Sequence, residues 1–269
     1  MRLGIEAGSQ SLEVAVQENV AAVPILAADL VEHGVQRTLA PLKERGLVAC
    51  QIGAFGYNPL CVDPAQKSVL KQVIRLAAET GCPYIVICGG NYHPSGFLAG
   101  DQRNFTDAAL DTIADELSPL ARLAERHGAR LCIEPYIKTA IYSPERFLAL
   151  QARVGSPALR INVDVTSFYG YWEMWDASRT VEHVCTALAG HYGLGHLKDL
   201  ALSDGFHIHV GLAPIGASVT DWATVLRLMA PNLPDDSWVI LEHLTSPEEA
   251  ETSLKYIRRA ASEAGIPLD

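Results

Sequence analysis

The chain has 269 residues, carries a formal net charge of −10 and is 49% hydrophobic, which is enough for one large buried core. An acidic surface repels phosphate backbones, so this charge disfavours a nucleic-acid partner. No apolar run approaches the roughly 20 residues of a membrane span, so we expect no membrane partner either.

Apolar, strand-like runs alternate along the chain with segments of helical periodicity. We predict strands at 2–6, 21–28, 47–53, 84–88, 131–134, 160–164, 193–196 and 238–242. We predict helices at 10–20, 35–45, 64–80, 106–127, 179–189 and 221–229, and two more that begin at 144 and 247. Strict alternation of strands and helices indicates a parallel sheet, and eight such units close naturally into a barrel. The predicted fold is therefore α/β, a (β/α)8 TIM barrel forming a single domain over residues 1–269.

Three predicted loops are long: Gly89–Asn104, the aromatic segment Thr166–Ser178, and Lys198–Thr220. All three follow strands, whereas several turns from helix to strand are a single glycine-led step. This asymmetry is typical of a barrel whose working face lies at the carboxyl ends of its strands. An open doubly wound sheet is disfavoured because no G-x-G-x-x-G motif follows the first strand.

Six cysteines occur without a Cys-x-x-Cys pair: Cys50, Cys61, Cys82, Cys88, Cys132 and Cys185. Several lie in strand-like apolar runs, where a free cysteine behaves as a small hydrophobic residue. The pattern favours a reduced protein without a disulfide framework. The first six residues are strand-like and acidic and unlike a signal peptide, so we expect a cytoplasmic location.

Four apolar runs end on a residue that can bind a metal: Glu134, Asp164, His196 and Glu242. If the strands are neighbours in a closed sheet, the four side chains converge at one mouth of the barrel. An oxygen- and nitrogen-donor set without thiolates suits Mn²⁺, Mg²⁺, Co²⁺ or Zn²⁺ and argues against a structural zinc site. The alternative for each residue taken singly is an ion pair or a helix cap.

With these strand ends, the sequence resembles the xylose isomerase-like barrel superfamily of sugar-phosphate isomerases and epimerases over almost its whole length. The matching segments are Asp63-Pro64, Ala77–Cys82, Ile133–Pro135, Val163-Asp164, Gly195–Asp199, Pro214–Gly216, Asp221-Trp222 and Ile240–His243. The resemblance implies that Glu134, Asp164, His196 and Glu242 bind one divalent metal, for which we expect Mn²⁺. It also implies that Glu134 and Glu242 move a proton on a sugar or sugar derivative.

Two positions depart from the family pattern. Many members carry a substrate-contacting histidine three residues after the aspartate, where this chain has Ser167. The usual P-x-G-x-G loop before the seventh helix here ends on Ser218 in place of its second glycine. Both departures bear on which substrate is bound, and neither touches the metal set.

Other polar residues near the predicted mouth are candidates for chemistry. Lys198 follows His196 by two and shares its face, so it could stabilise an oxyanion or pair with an acid. His209 is a candidate general base, and His207 shares its face of the same extended run; a solvated role is the alternative for both. Asn162 could support the metal site or be only an interior amide of the barrel.

We predict that His93, His207, Ser167 and Trp172 contact substrate. The aromatic segment that contains Trp172 could form a lid or a sugar-stacking wall, or an oligomer contact. His243 directly follows Glu242, so strand alternation predicts that it points away and packs against the helix layer.

The sequence is compatible with four functional hypotheses. The first is an isomerase or epimerase that removes a proton next to a carbonyl and passes through an enediolate. The second is a lyase or dehydratase that eliminates a β-substituent from an oxidised 3-keto sugar or glycoside. An apurinic-site endonuclease and a metal-free binding protein are the others, and the charge and the lack of early strand-end histidines disfavour the endonuclease. The sequence leaves open whether the chain forms a homo-oligomer or binds a small partner subunit.

Overall fold

The computed structural model describes the whole chain, Met1–Asp269, and its centre is a closed barrel of eight parallel strands. The barrel strands are β1 (Leu3–Ile5), β2 (Ala22–Leu26), β3 (Val48–Gly53), β4 (Tyr84–Cys88), β5 (Arg130–Glu134), β6 (Leu159–Val163), β7 (Tyr192–Leu197) and, numbered after a hairpin, β10 (Val239–Leu241). The order around the ring is β1-β10-β7-β6-β5-β4-β3-β2, so the first and last strands pair and close it. The predicted TIM barrel is confirmed.

Helices cover the outside of the barrel. They are α1 (Ser11–Gln17), α2 (Ala27–Lys43), α3 (Pro64–Thr80), α4 (Asp107–Arg126), α5 (Pro144–Val154), α6 (Tyr171–Trp175), α7 (Ala177–Ala187), α8 (Trp222–Met229) and α9 (Pro247–Ala264). Asp63 and Ser143 cap α3 and α5 through their side chains, each with a proline at the first turn, as the sequence suggested. No helix combines the length and apolar character needed to cross a membrane.

Three predicted segments differ from the structure. The second helix begins eight residues earlier than predicted, at Ala27, and is interrupted at Gly34, whose φ of 76° breaks the helical path. The loop predicted over Lys198–Thr220 contains an antiparallel hairpin of β8 (Asp199–Ser203) and β9 (His209–Ala213). The aromatic segment contains the short helix α6, and its first two aromatic residues, Phe168 and Tyr169, are buried in the core.

The helix layer packs closely on β7 at Gly195. A Cβ at this position would meet the methyl group of Met229 on α8. The alternate residues of the strand, including His196, therefore face the barrel interior. This close contact fixes the depth at which His196 enters the site.

The long segment after β4 is held by three buried asparagines rather than by regular structure. The side-chain amide of Asn58 donates to the backbone carbonyl of Asn91 at 2.8 Å, and its oxygen accepts from the Asn91 backbone N–H at 2.9 Å. Asn104 donates to the side chain of Asn91 at 2.7 Å and accepts from the backbone of Tyr92 at 2.9 Å. The network gives the segment that carries His93 a defined path at the mouth of the barrel.

Candidate metal centre

The four predicted metal ligands meet at the carboxyl ends of four neighbouring strands. Their strands, β10, β7, β6 and β5, are consecutive in the ring, and one ligand atom of each residue lies within 4.8 Å of the others. Glu242 and Glu134 stand at the two ends of this arc, with His196 and Asp164 between them. All four side chains are buried or nearly so, which is costly for three carboxylates without a cation.

Asp164 is oriented by the turn that follows it. Its Oδ1 accepts hydrogen bonds from the backbone N–H groups of Thr166 and Ser167 at 3.1 and 3.2 Å, and the Thr166 hydroxyl donates at 2.8 Å. The Ser167 hydroxyl donates to Oδ2 at 2.8 Å and is 1% exposed. Ser167 therefore orients the carboxylate of Asp164, and its contact with substrate stays a prediction.

Glu134 is held by an amide from the next strand. The side-chain amide of Asn162 donates to Glu134 Oε2, and Asn162 is fully buried. This contact favours the interpretation that Asn162 supports the candidate metal site over the interpretation that it is only an interior amide of the barrel. The same Glu134 oxygen lies 3.4 Å from His196 Nδ1.

In its neutral form, His196 presents an unprotonated nitrogen to the carboxylates. Its Nε2 lies 2.6 Å from the amide oxygen of Gln51, which can only accept a hydrogen bond, so Nε2 carries the proton of the neutral ring. Nδ1 then has a lone pair and no hydrogen-bond partner, although Glu242 Oε2 lies only 2.9 Å away. A buried lone pair facing two carboxylate oxygens is stabilised by a cation between them, so these residues fit a divalent metal.

Lys198 supplies the only positive side chain in contact with all three carboxylates. Its ammonium contacts Asp164 and lies 2.8 Å from Glu242 and 3.6 Å from Glu134. Three carboxylates and one ammonium leave a formal charge of −2, which one divalent cation neutralises. Lys198 thus lies beside the carboxylates, and its part in catalysis stays a prediction.

The charges of the site shift its pKa values strongly. Burial lowers the pKa of His196, but Glu242 and Glu134 offset this and raise it to about 10. Burial raises the pKa of Glu242, yet His196 and Lys198 hold it well below its usual range. Burial opposes the charged form of Lys198, while Asp164, Glu242 and Glu134 raise its pKa well above the usual value. Without a metal, the cluster is thus a network of ions that attract protons to its imidazole.

The prediction that His243 points away from Glu242 is wrong. His243 has a φ of 61°, a left-handed conformation that is uncommon outside glycine and that ends the strand alternation. Its Nε2 consequently lies 3.5 Å from Glu242 Oε1, and its side chain is 49% exposed rather than packed in the helix layer. The sequence pattern around His243 gave no indication that its φ angle would be positive.

Four predicted residues lie at the rim without a hydrogen bond or ion pair to the cluster. The ring of His93 lies 2.7 Å from the Ser95 hydroxyl, and its backbone is bound by Asn91. His207 and His209 are exposed in the hairpin, the first in its turn and the second at the start of β9. Trp172 is 70% exposed and packs against Tyr171 with the two rings tilted by 48°. Their contacts with substrate, and catalysis by His209, stay predictions.

A cavity of about 240 Å³ adjoins the cluster. Lys198 and Glu242 form its inner wall, and the hairpin, the segment after β10 and the start of α9 form the rest. The lining combines carboxylate, imidazole and hydroxyl groups with the apolar side chains of Leu212, Ile215 and Leu244. The cavity gives a small polar molecule with an apolar face access to Lys198 and Glu242 of the cluster.

Sequence reasoning missed Gln51, whose side chain is 4% exposed. One signal was available: Gln51 is the only polar residue of the predicted strand Leu47–Gly53. A strand of a parallel barrel is buried on both faces, so a single amide within it requires a partner.

The family model for the xylose isomerase-like TIM barrel matches residues 2–260 of the chain. No curated protein matches the chain by sequence. Solved structures do match it in fold, at identities too low to indicate more than the fold.

Three of these structures illustrate the range. The probable 3-DHS dehydratase AsbF of Bacillus anthracis is 15% identical with a TM-score of 0.70, covering 96% of this chain and 98% of its own. D-psicose 3-epimerase of Clostridium cellulolyticum H10 is 12% identical with a TM-score of 0.71, covering 97% and 99%. A xylose isomerase-like TIM barrel protein of Mycobacterium smegmatis, in complex with magnesium, is 16% identical with a TM-score of 0.69, covering 95% and 88%.

Proposed function

The chain belongs to the xylose isomerase-like TIM barrel family, and we propose that it is a divalent-metal-dependent isomerase or epimerase of a sugar or sugar derivative. The observation that carries the proposal is the pair of buried glutamates at opposite ends of the ligand arc. Glu134 and Glu242 approach the same imidazole nitrogen, at 3.4 and 2.9 Å, from strands three places apart in the ring. A substrate carbon between them would be open to a carboxylate on each side.

Glu134, Asp164, His196 and Glu242 would hold the ion, with Mn²⁺ as the expected metal and Mg²⁺, Co²⁺ or Zn²⁺ as alternatives. When bound, the ion polarises a carbonyl and stabilises negative charge that develops beside it. The other contributions come from side chains of the chain itself. A magnesium complex among the structural neighbours supports this assignment.

The proton transfer needs one carboxylate to take a proton and another acid to return one. One glutamate removes the proton from the carbon next to the carbonyl, and the electron pair left there delocalises toward the carbonyl oxygen as an enediolate. The other glutamate, protonated, returns a proton to the opposite face, which inverts that carbon. Lys198, 2.8 Å from Glu242, provides positive charge beside the developing oxyanion.

A second candidate is a lyase that acts on a 3-keto sugar or glycoside. Its first step is the same proton removal, after which the bond to a β-substituent breaks and the leaving group takes up a proton. The cavity of about 240 Å³ beside Lys198 and Glu242 favours this reading, because it gives a leaving group somewhere to lie. An epimerase and a dehydratase both occur among the structural neighbours, so the fold accommodates either outcome.

The test is solvent exchange with the metal-loaded protein in D₂O, using a panel of ketoses, aldoses and 3-keto glycosides. We expect deuterium at the carbon next to the carbonyl, loss of exchange with a chelator, and recovery with Mn²⁺. An epimer or isomer as the product supports the first candidate, and a released aglycone or water supports the second. If metal is bound and no substrate of the panel exchanges, the proposal is wrong.

A further inference from the structure

The imidazole of His196 is held from the far side of the barrel. Gln51 lies on β3 and His196 on β7, and these strands are four places apart in the ring of eight, so they face each other. The Gln51 side chain spans the interior and its oxygen ends 2.6 Å from His196 Nε2. Both side chains are almost fully buried, at 4% and 1% exposure.

We infer that Gln51 is a positioning residue that selects the tautomer of His196 and thereby makes Nδ1 a metal ligand. The inference rests on the proposed metal centre and deepens it. An amide oxygen can only accept, so it requires the ring proton on Nε2. A neutral imidazole has one N–H, which leaves the lone pair on Nδ1.

The surroundings of Nδ1 support this assignment. Nδ1 has no hydrogen-bond partner, and the two atoms nearest to it on the cluster side are carboxylate oxygens of Glu242 and Glu134. With the proton on the other nitrogen, all three atoms present lone pairs to one another. A positive charge among them, either a proton or a metal ion, turns this repulsion into attraction, and the tautomer that Gln51 imposes leaves Nδ1 free to take the metal.

Calorimetric titration with Mn²⁺ alone tests the inference in the full-length protein. Gln51→Met keeps the length of the side chain and removes the acceptor, and we expect its Kd for Mn²⁺ to rise about 10- to 100-fold, the usual cost of losing such a partner. Gln51→Glu keeps an acceptor at the same place, and we expect it to bind Mn²⁺ at least as tightly as the wild type. Gln151→Met, which removes a partly buried amide on α5 that donates to the backbone carbonyls of Ser156 and Leu159, is the control and should leave the Kd unchanged.

A spectroscopic measurement on the wild type decides the matter even if Gln51→Met fails to fold. In the Zn²⁺-loaded protein, ¹⁵N spectra of the His196 ring should show a proton on Nε2 and coordination at Nδ1. A proton on Nδ1, or a Gln51→Met variant that binds Mn²⁺ as the wild type does, overturns the inference and leaves the proposed function standing. A wild-type protein that binds no divalent metal overturns both.

Discussion

Glu134 and Glu242, at the two ends of the ligand arc, are similarly buried, with 9% and 11% of their side chains exposed. The groups around them differ in charge. On the Glu134 side, the nearest partner is the neutral amide of Asn162, and the Lys198 ammonium lies 3.6 Å away. On the Glu242 side, Lys198 lies at 2.8 Å, and the ring of His243 at 3.5 Å. Positive neighbours stabilise a carboxylate and make it a weaker base. The comparison indicates that the positive neighbours of Glu242 favour its ionised form and hold its pKa well below the usual range.

The largest effects should come from removing either carboxylate. Glu134→Gln and Glu242→Gln keep the shape and an oxygen donor but lose charge and basicity, and we expect turnover to fall at least ~10²-fold in each. If each glutamate serves one face, Glu134→Gln should lose exchange with one epimer and keep it with the other, and Glu242→Gln should show the reverse. Kinetics with both epimers and melting temperatures measure this, and near-normal turnover in both variants would contradict the mechanism.

Replacing His196 removes the ring that both sides share. In His196→Ala, we expect Mn²⁺ affinity to fall by more than the ~10- to 100-fold typical of an outer partner, because a ligand itself is lost. The fold should persist, since His196 lies at the end of its strand. Metal analysis and far-ultraviolet circular dichroism check both parts, and an unchanged metal content would remove His196 from the ligand set.

Replacing Lys198 should make the two sides more alike. Lys198→Met leaves three buried carboxylates without their ammonium, so we expect the metal-free protein to lose on the order of 3–5 kcal/mol of unfolding free energy. Mn²⁺ should restore more stability to this variant than to the wild type. Lys67→Met, which breaks the partly exposed pair with Glu116, is the control; its deficit should be smaller and should not respond to Mn²⁺. Denaturant melts with and without metal compare the two, and equal metal responses would contradict the counterion role.

The smallest effect should come from Asn162. In Asn162→Ala, Glu134 loses one hydrogen bond to a charged group, worth about 1.5–3 kcal/mol, so we expect about a tenfold loss in kcat. The rate of proton transfer by Glu134 should fall, and the rate of proton transfer by Glu242 should stay unchanged. Exchange rates for the two epimers measure the split, and an equal loss on both would mean that Asn162 acts only on stability.

The four residues of the candidate metal cluster could be located from the sequence because the position of each depends on a local rule. Glu134 and His196 end apolar runs, and in a parallel barrel all such ends meet at one face. Gln51 could not be placed in the same way, since its contact crosses the barrel and exists only after the ring closes. His243 was misplaced because alternation assumes strand geometry, and a φ of 61° ends it. The hairpin was missed because its mixture of small, polar and apolar residues is also typical of a loop.

The hairpin of β8 and β9 is gathered at its base by one buried carboxylate. Asp199 accepts from the Gly216 backbone at 3.0 Å, the Thr220 hydroxyl at 3.2 Å and the Trp222 indole at 3.1 Å, so the two ends of the segment are fastened to the barrel together. The strands of the hairpin pair only with each other, and Phe206 at the tip is 97% exposed.

Such a segment is structurally independent of the barrel sheet, because its strands share no ladder with the barrel strands. We expect that its tip can be shortened, lengthened or exchanged for that of another barrel while the strands that carry the carboxylate cluster keep their register. Leu212 and Ala213 at the base of the hairpin line the cavity beside Glu242, so exchanging the whole hairpin would change which molecules the cavity admits and leave the carboxylate cluster in place.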